Sequence, residues 1–115
     1  MITLYGLKNC DTCRKARKWL DAGARAHNFH DVRADGLDNA MLASWVAAVG
    51  WEALLNRRGT TWRDLSDDDK DGVDAARAAA LMLAHPALVK RPVIDADGTI
   101  TVGFGPDVQA VLGGG

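Results

Sequence analysis

Little in this 115-residue sequence carries net charge, spans a membrane or holds a metal, and those shortages narrow its function first. Fourteen lysines and arginines oppose fifteen aspartates and glutamates, a formal net charge of −1, so there is no electrostatic case for nucleic acid binding. No apolar run approaches the roughly 20 residues of a membrane-spanning helix. The opening Met-Ile-Thr-Leu-Tyr lacks the basic leader and long apolar stretch of a secretory signal, which predicts a cytoplasmic protein with no membrane partner. No repeat, linker or low-complexity block argues for a second domain. Residues 1–115 are therefore expected to form one domain, with 48% hydrophobic residues to fill its core.

The remaining shortages are chemical. A structural zinc site needs four ligands, and His27, His30 and His85 form no pair at ligand spacing. Asp67-Asp68-Asp69 lacks the spaced oxygens and glycine of a calcium loop and reads as a first helical turn. Ser44 and Thr60 have no partner histidine at an evident spacing, which argues against hydrolase chemistry. Trp19, Trp45, Trp51 and Trp62 read as packing residues rather than a stacking platform for bases.

What remains is sulfur. The two cysteines of the chain stand together as Cys10-Asp11-Thr12-Cys13. An apolar run, residues 2–6, precedes them, and an amphipathic helix pattern follows. Unpaired N–H groups and the dipole at a helix N-terminus favour a thiolate. Cys10 is expected at or just before that terminus, and Cys13 about one turn in, within disulfide reach. Lys8, Arg14 and Lys15 add positive charge. Cys10 is thus the expected nucleophile and Cys13 the expected resolving thiol. A structural disulfide or half of a zinc site are the competing readings of the same pair; two cysteines without an export signal fit a reducing compartment and a cycling thiol better.

Along the chain, residues 2–6 read as a buried strand and 12–22 as a helix, with Cys13, Ala16, Trp19 and Leu20 on one face. Gly23 is a stop. Residues 27–32 alternate as a second strand, Asp35-Gly36 is a turn, and 38–49 is a helix ended by Gly50. Residues 56–62 read as a loop. Ser66 caps a short acidic helix over 67–71, and residues 73–84 form another helix that stops at His85-Pro86. Residues 92–95 and 99–103, joined by Ala96-Asp97-Gly98, form a β-hairpin, and a last helix covers about 106–112. This order, βαβ, helices, then ββα, predicts an α/β thioredoxin-like (glutaredoxin-type) fold. Its mixed four-stranded sheet has parallel first and second strands and is interrupted by a helical insertion over about 36–86. Such a fold sets the Cys-X-X-Cys helix beside the start of the third strand, at Arg91-Pro92.

Three stretches with this order and spacing make the chain resemble the arsenate reductase (ArsC) family, in its Spx/MgsR and YffB-like branch. They are residues 4–20 around Cys10-Asp11-Thr12-Cys13, residues 50–63 with Asn56-Arg57-Arg58-Gly59, and residues 85–94 with Arg91-Pro92. The fragment Val102-Gly103-Phe104 also fits. The resemblance implies a glutathione-linked thiol reductase with no tightly bound cofactor and with glutathione as co-substrate. It also implies Cys10 as catalytic cysteine, Arg91 as the arginine facing it, and Pro92 at the position of a cis proline. Lys8, Asn9, Thr12 and Arg58 join Pro92 as expected substrate-binding residues.

The departures open two further readings. Glutaredoxin-coupled arsenate reductases of this family have a single cysteine in the motif, an arginine where Asn56 stands, and another where Gly103-Phe104-Gly105 stands. Arg57 and Arg58 lie close to the first gap. With an incomplete set of cations, arsenate reduction partnered by glutaredoxin is the second expectation. The third is a Spx-like redox-switched regulator that binds RNA polymerase, since Gly50 falls in the segment corresponding to that docking surface.

Overall fold

A computed structural model describes residues 2–113. They form two compact units: residues 2–36 together with 91–113, and Leu37–Lys90.

The first unit carries the sheet. Strand β1 (Ile2–Gly6) leads to helix α1 (Asp11–Ala22) and strand β2 (His27–Asp31); the chain returns with β3 (Val93–Ala96), β4 (Thr99–Val102) and helix α7 (Pro106–Gly113). The strand order is β2-β1-β3-β4, with β1–β2 parallel and β1–β3 and β3–β4 antiparallel. This is the mixed α/β sheet predicted, and it follows from connection length. The 20-residue connection through α1, residues 7–26, allows a parallel crossover, whereas the tight Asp97-Gly98 turn allows only a hairpin.

Strand β1 alternates buried and half-buried, with Ile2, Leu4 and Gly6 facing inward. Helix α1 returns Cys13, Ala16 and Leu20 to that face, a spacing of three and four residues. Ile94, Val108 and Leu112 complete the core, and Leu4, Ala16, Leu20 and Ile94 have no exposed surface. Trp19 is only half-buried at the margin, edge-on to Phe104 with 5.6 Å between ring centroids. The Arg25 guanidinium donates to the Leu112 carbonyl at 2.6 Å and so ties the end of α7 to the loop before β2.

The second unit is helical: α2 (Asn39–Val49), α3 (Trp51–Leu54), α4 (Thr60–Arg63), α5 (Asp67–Lys70), α6 (Ala75–Ala84) and a 3₁₀ turn over Pro86–Leu88. Asp38, Ser66 and Asp74 cap α2, α5 and α6 by accepting the Met41, Asp69 and Arg77 N–H groups. Leu42, Trp45, Leu54, Ala78, Leu81, Met82 and Leu88 are buried. Gly50 joins α2 to α3 at φ +86, a conformation a side chain would oppose.

Three details differ from the sequence reading. The stretch 56–62 is a loop only as far as Gly59, because Thr60–Arg63 makes a single helical turn. Residues 51–54 form a helical turn that no periodicity announced. Helix α6 starts at Ala75 rather than at residue 73, since Asp74 takes the cap position with extended backbone. Single turns of four residues show no repeat of their own, so hydrophobic spacing cannot reveal them.

Candidate active site

Pairing of the strands brings the sulfur and the arginine together. Tyr5 in β1 pairs with Val93 in β3, so the residues just before β3 run beside the end of β1 and the loop that follows it. Those residues are Arg91 and Pro92, and the peptide between them is cis. Pro92 is buried, and its carbonyl accepts the Gly103 N–H at 2.8 Å. On the other side of β1, Gly6 pairs with Asp31 at the end of β2. The loop Leu7–Asn9, the Asp31 turn and Arg91 therefore converge at one end of the sheet.

Cys10 is the N-cap of α1, as its position before the helix predicted. Its backbone is extended, and its Sγ accepts the Cys13 N–H at 3.4 Å. A sulfur thus fills the place that a serine or aspartate oxygen usually takes. Burial works against ionisation here, yet the Cys13 backbone N–H, the Cys13 thiol and the Arg91 guanidinium outweigh it. Together they hold the Cys10 thiol below its ordinary pKa. Cys10 is half-exposed and lines a cleft of about 250 Å³ with Leu7, Lys8, Asn9, Asp31, Arg33, Ala34 and Arg91. A larger hollow of about 430 Å³, at Trp19, Ala22, Gly23 and Arg25, holds no nucleophile.

Cys13 has a different environment. It is 1% exposed within the core cluster. Burial first, and the neighbouring Cys10 after it, push its thiol up to about 12, although a Leu7 backbone contact favours the thiolate. Both cysteines are free thiols. The close approach depends on Gly6, because a Cβ there would collide with the Cys13 Sγ and lie 3.4 Å from its Cβ. Gly6→Ala is expected to cost about 1–3 kcal/mol of stability through overpacking, read as an earlier midpoint in denaturant. An unchanged midpoint would show that the helix start yields freely.

The expected substrate-binding residues divide. Lys8 and Asn9 line the Cys10 cleft. Thr12 is exposed in the first turn of α1 and is not among the lining residues. Arg58 belongs to the second unit, where it borders a hollow with Glu52, Leu55, Arg57 and Lys90. Asn56, where the resemblance to glutaredoxin-coupled arsenate reductases implies an arginine, accepts the Arg58 N–H at 3.0 Å and so shapes its own loop. Among the described residues, no group of three His, Cys, Asp or Glu side chains could hold a metal. No described helix is long and apolar enough to cross a membrane.

Sequence reasoning missed Asp31. It is 5% exposed and ends β2. One carboxylate oxygen accepts the Arg33 and Ala34 N–H groups at 2.8 and 2.9 Å; the other accepts the Lys8 N–H at 3.3 Å. The Ala34 bond foremost, with those of Arg33 and Lys8, holds the carboxyl below its usual range against the cost of burial. An aspartate at the end of an apparent strand is an Asx-turn signal, and it marks this position in hindsight.

Comparison with known proteins agrees with this fold. The ArsC family model matches residues 5–111. The solved structure of a YFFB protein is 48% identical with a TM-score of 0.91, over 96% of this chain and 97% of that one. An arsenate reductase (ArsC) related protein from Brucella melitensis is 49% identical with a TM-score of 0.78, over 96% and 92% of the two chains. The global transcriptional regulator Spx of Streptococcus mutans is 28% identical over 115 residues, 97% of this chain and 83% of that protein. The match spans the cysteine helix, the helical unit and the segment carrying Arg91-Pro92; the chain belongs to the ArsC family.

Proposed function

We propose that this chain is a glutathione-linked thiol–disulfide reductase whose nucleophile is the Cys10 thiolate. The observation that carries the reading is the Cys10 sulfur at the head of α1, bonded by the Cys13 N–H and by Arg91, and open to a cleft. In the proposed cycle the thiolate attacks the glutathionyl sulfur of a mixed disulfide. A Cys10–glutathione disulfide forms, and the other partner leaves as a thiolate that takes up a proton. The thiolate of a second glutathione then attacks the glutathionyl sulfur, giving glutathione disulfide and restoring the Cys10 thiolate. In sum the mixed disulfide and one glutathione become the free thiol and glutathione disulfide, and Cys10 is regenerated.

External glutathione suits the resolving step better than Cys13. With its thiol pushed up to about 12, Cys13 keeps its proton through the neutral range. Burial, the largest cause, persists when Cys10 is blocked. Cys13→Ser, which keeps a donor beside Cys10, is expected to retain glutathione-dependent turnover within about fivefold of the parent. A loss as deep as that of Cys10→Ser would make Cys13 the resolving thiol.

Glutathione-dependent reduction of a glutathionylated peptide, followed by NADPH consumption through glutathione reductase, tests the reading. The family membership favours a second one, arsenate reduction coupled to glutaredoxin. Arsenate-dependent NADPH consumption on addition of glutaredoxin, without turnover of the glutathionylated peptide, would replace the first reading with it. The 28% likeness to Spx favours a regulator, for which capture of RNA polymerase without either turnover is the corresponding result. A cytoplasmic location suits all three.

A further inference from the structure

The cleft beside Cys10 has two walls, and a single buried carboxylate fixes both. On one side the Lys8 N–H donates to Asp31 at 3.3 Å, which anchors the loop leading to Cys10. On the other, the Arg33 and Ala34 N–H groups donate to the second Asp31 oxygen at 2.8 and 2.9 Å. The Asp31 N–H donates in turn to Asp35 at 3.0 Å, and the Asp35 N–H to the Asp31 carbonyl at 2.8 Å, which closes the turn on itself. A buried ionised group is tolerated because three backbone donors satisfy it.

This bonding changes the charge offered to a ligand. The cleft is lined by three cations, Lys8, Arg33 and Arg91, and one carboxylate, Asp31. Asp31 is turned onto backbone N–H groups, and Arg91 onto Cys10. Arg33 is exposed, and no ion pair between described residues engages it. By contrast the exposed Arg14 pairs with Asp11 at 2.9 Å. A volume near 250 Å³ falls just below the usual range for small-molecule sites, about 300–1,000 Å³. A cleft of this size takes a small thiol.

We propose that Arg33 forms a carboxylate-binding subsite in the Cys10 cleft, with Asp31 as its positioning residue, so that the protein selects small thiol partners carrying a carboxylate. This deepens the proposed reductase activity and rests on it. Guanidinium and carboxylate match in plane and donor spacing. The fixed backbone at Arg33 leaves only side-chain freedom to lose on binding.

The test uses three 2-pyridyl mixed disulfides: of glutathione, of neutral 2-mercaptoethanol and of cationic cysteamine. In each, the Cys10 thiolate takes the non-aromatic sulfur into a new disulfide and 2-thiopyridone leaves, so one absorbance band reports every reaction. The parent is expected to prefer glutathione over mercaptoethanol, and both over cysteamine. Arg33→Ala should lower the glutathione-to-mercaptoethanol ratio of rates by about fivefold, the scale of an exposed charge pair, and Arg33→Glu should reverse the order of glutathione and cysteamine. Asp31→Ala should lose the same preference. Asp31→Asn, which retains an oxygen for the Arg33 and Ala34 N–H groups, should keep most of it and serves where Asp31→Ala does not fold. An unchanged ratio in both Arg33 variants overturns the subsite while leaving the reductase reading intact. If no probe reacts faster with Cys10 than with free cysteine, the reductase reading fails and the subsite with it.

Discussion

Cys10→Ser is expected to lower glutathione-dependent disulfide turnover by about three orders of magnitude or more. An alkoxide is not formed at neutral pH, and a serine hydroxyl is a poor nucleophile toward a disulfide sulfur. The size of the loss reflects how many features meet at that one atom. It caps α1 through the Cys13 N–H, it receives the Arg91 guanidinium, and it is the half-exposed sulfur of the pair. A serine oxygen is itself a good N-cap, so the fold should survive and circular dichroism should be unchanged. Loss of activity with the fold intact then isolates the chemistry. Retained turnover in Cys10→Ser would remove the nucleophile from the account, since Cys13 is buried and holds its proton.

The second large effect concerns Arg91. Arg91→Ala is expected to slow the reaction of Cys10 at pH 7, and the deficit should close as pH rises. The sign follows from which form the arginine favours. Its hydrogen bond and charge both stabilise the thiolate, so removing it raises the pKa of Cys10. Between the old and the new midpoint the variant holds less thiolate than the parent; above both, the two hold equal amounts. Arg91→Lys keeps the charge without the planar donors and should fall between them. A pH-rate profile by stopped flow separates this from a packing defect. A variant that is slow at every pH would make Arg91 a support for the loop rather than a partner of the sulfur.

Much of this site is written in local sequence. Strand β1, the cysteine motif and the apolar spacing of α1 lie within 22 consecutive residues, and local rules place Cys10 at the helix cap and Cys13, Ala16 and Leu20 on the core side. The hairpin is announced by Asp97-Gly98 between two apolar runs, and once β3 is assigned, Arg91-Pro92 falls at its head. The depth of Cys13 is less legible. Spacing sets it on the same side as Cys10, but its enclosure follows from the missing side chain at Gly6, seven residues away in another element. Asp31 is least legible. Its three donors come from Lys8, Arg33 and Ala34, and the Lys8 contact exists only because β1 and β2 run parallel. Alternation within β2 reports which residues face the core and says nothing about a carboxylate at its end. Asn56 is a further case: its role in shaping the loop shows only in its bond to the Arg58 N–H.

The account stands on the ionisation of Cys10. Alkylation by iodoacetamide across pH, with the adduct at Cys10 quantified by mass spectrometry, measures it directly. The structure predicts a midpoint below that of free cysteine measured in parallel, with Cys13 unlabelled throughout the neutral range. A Cys10 midpoint at or above that of free cysteine would contradict it.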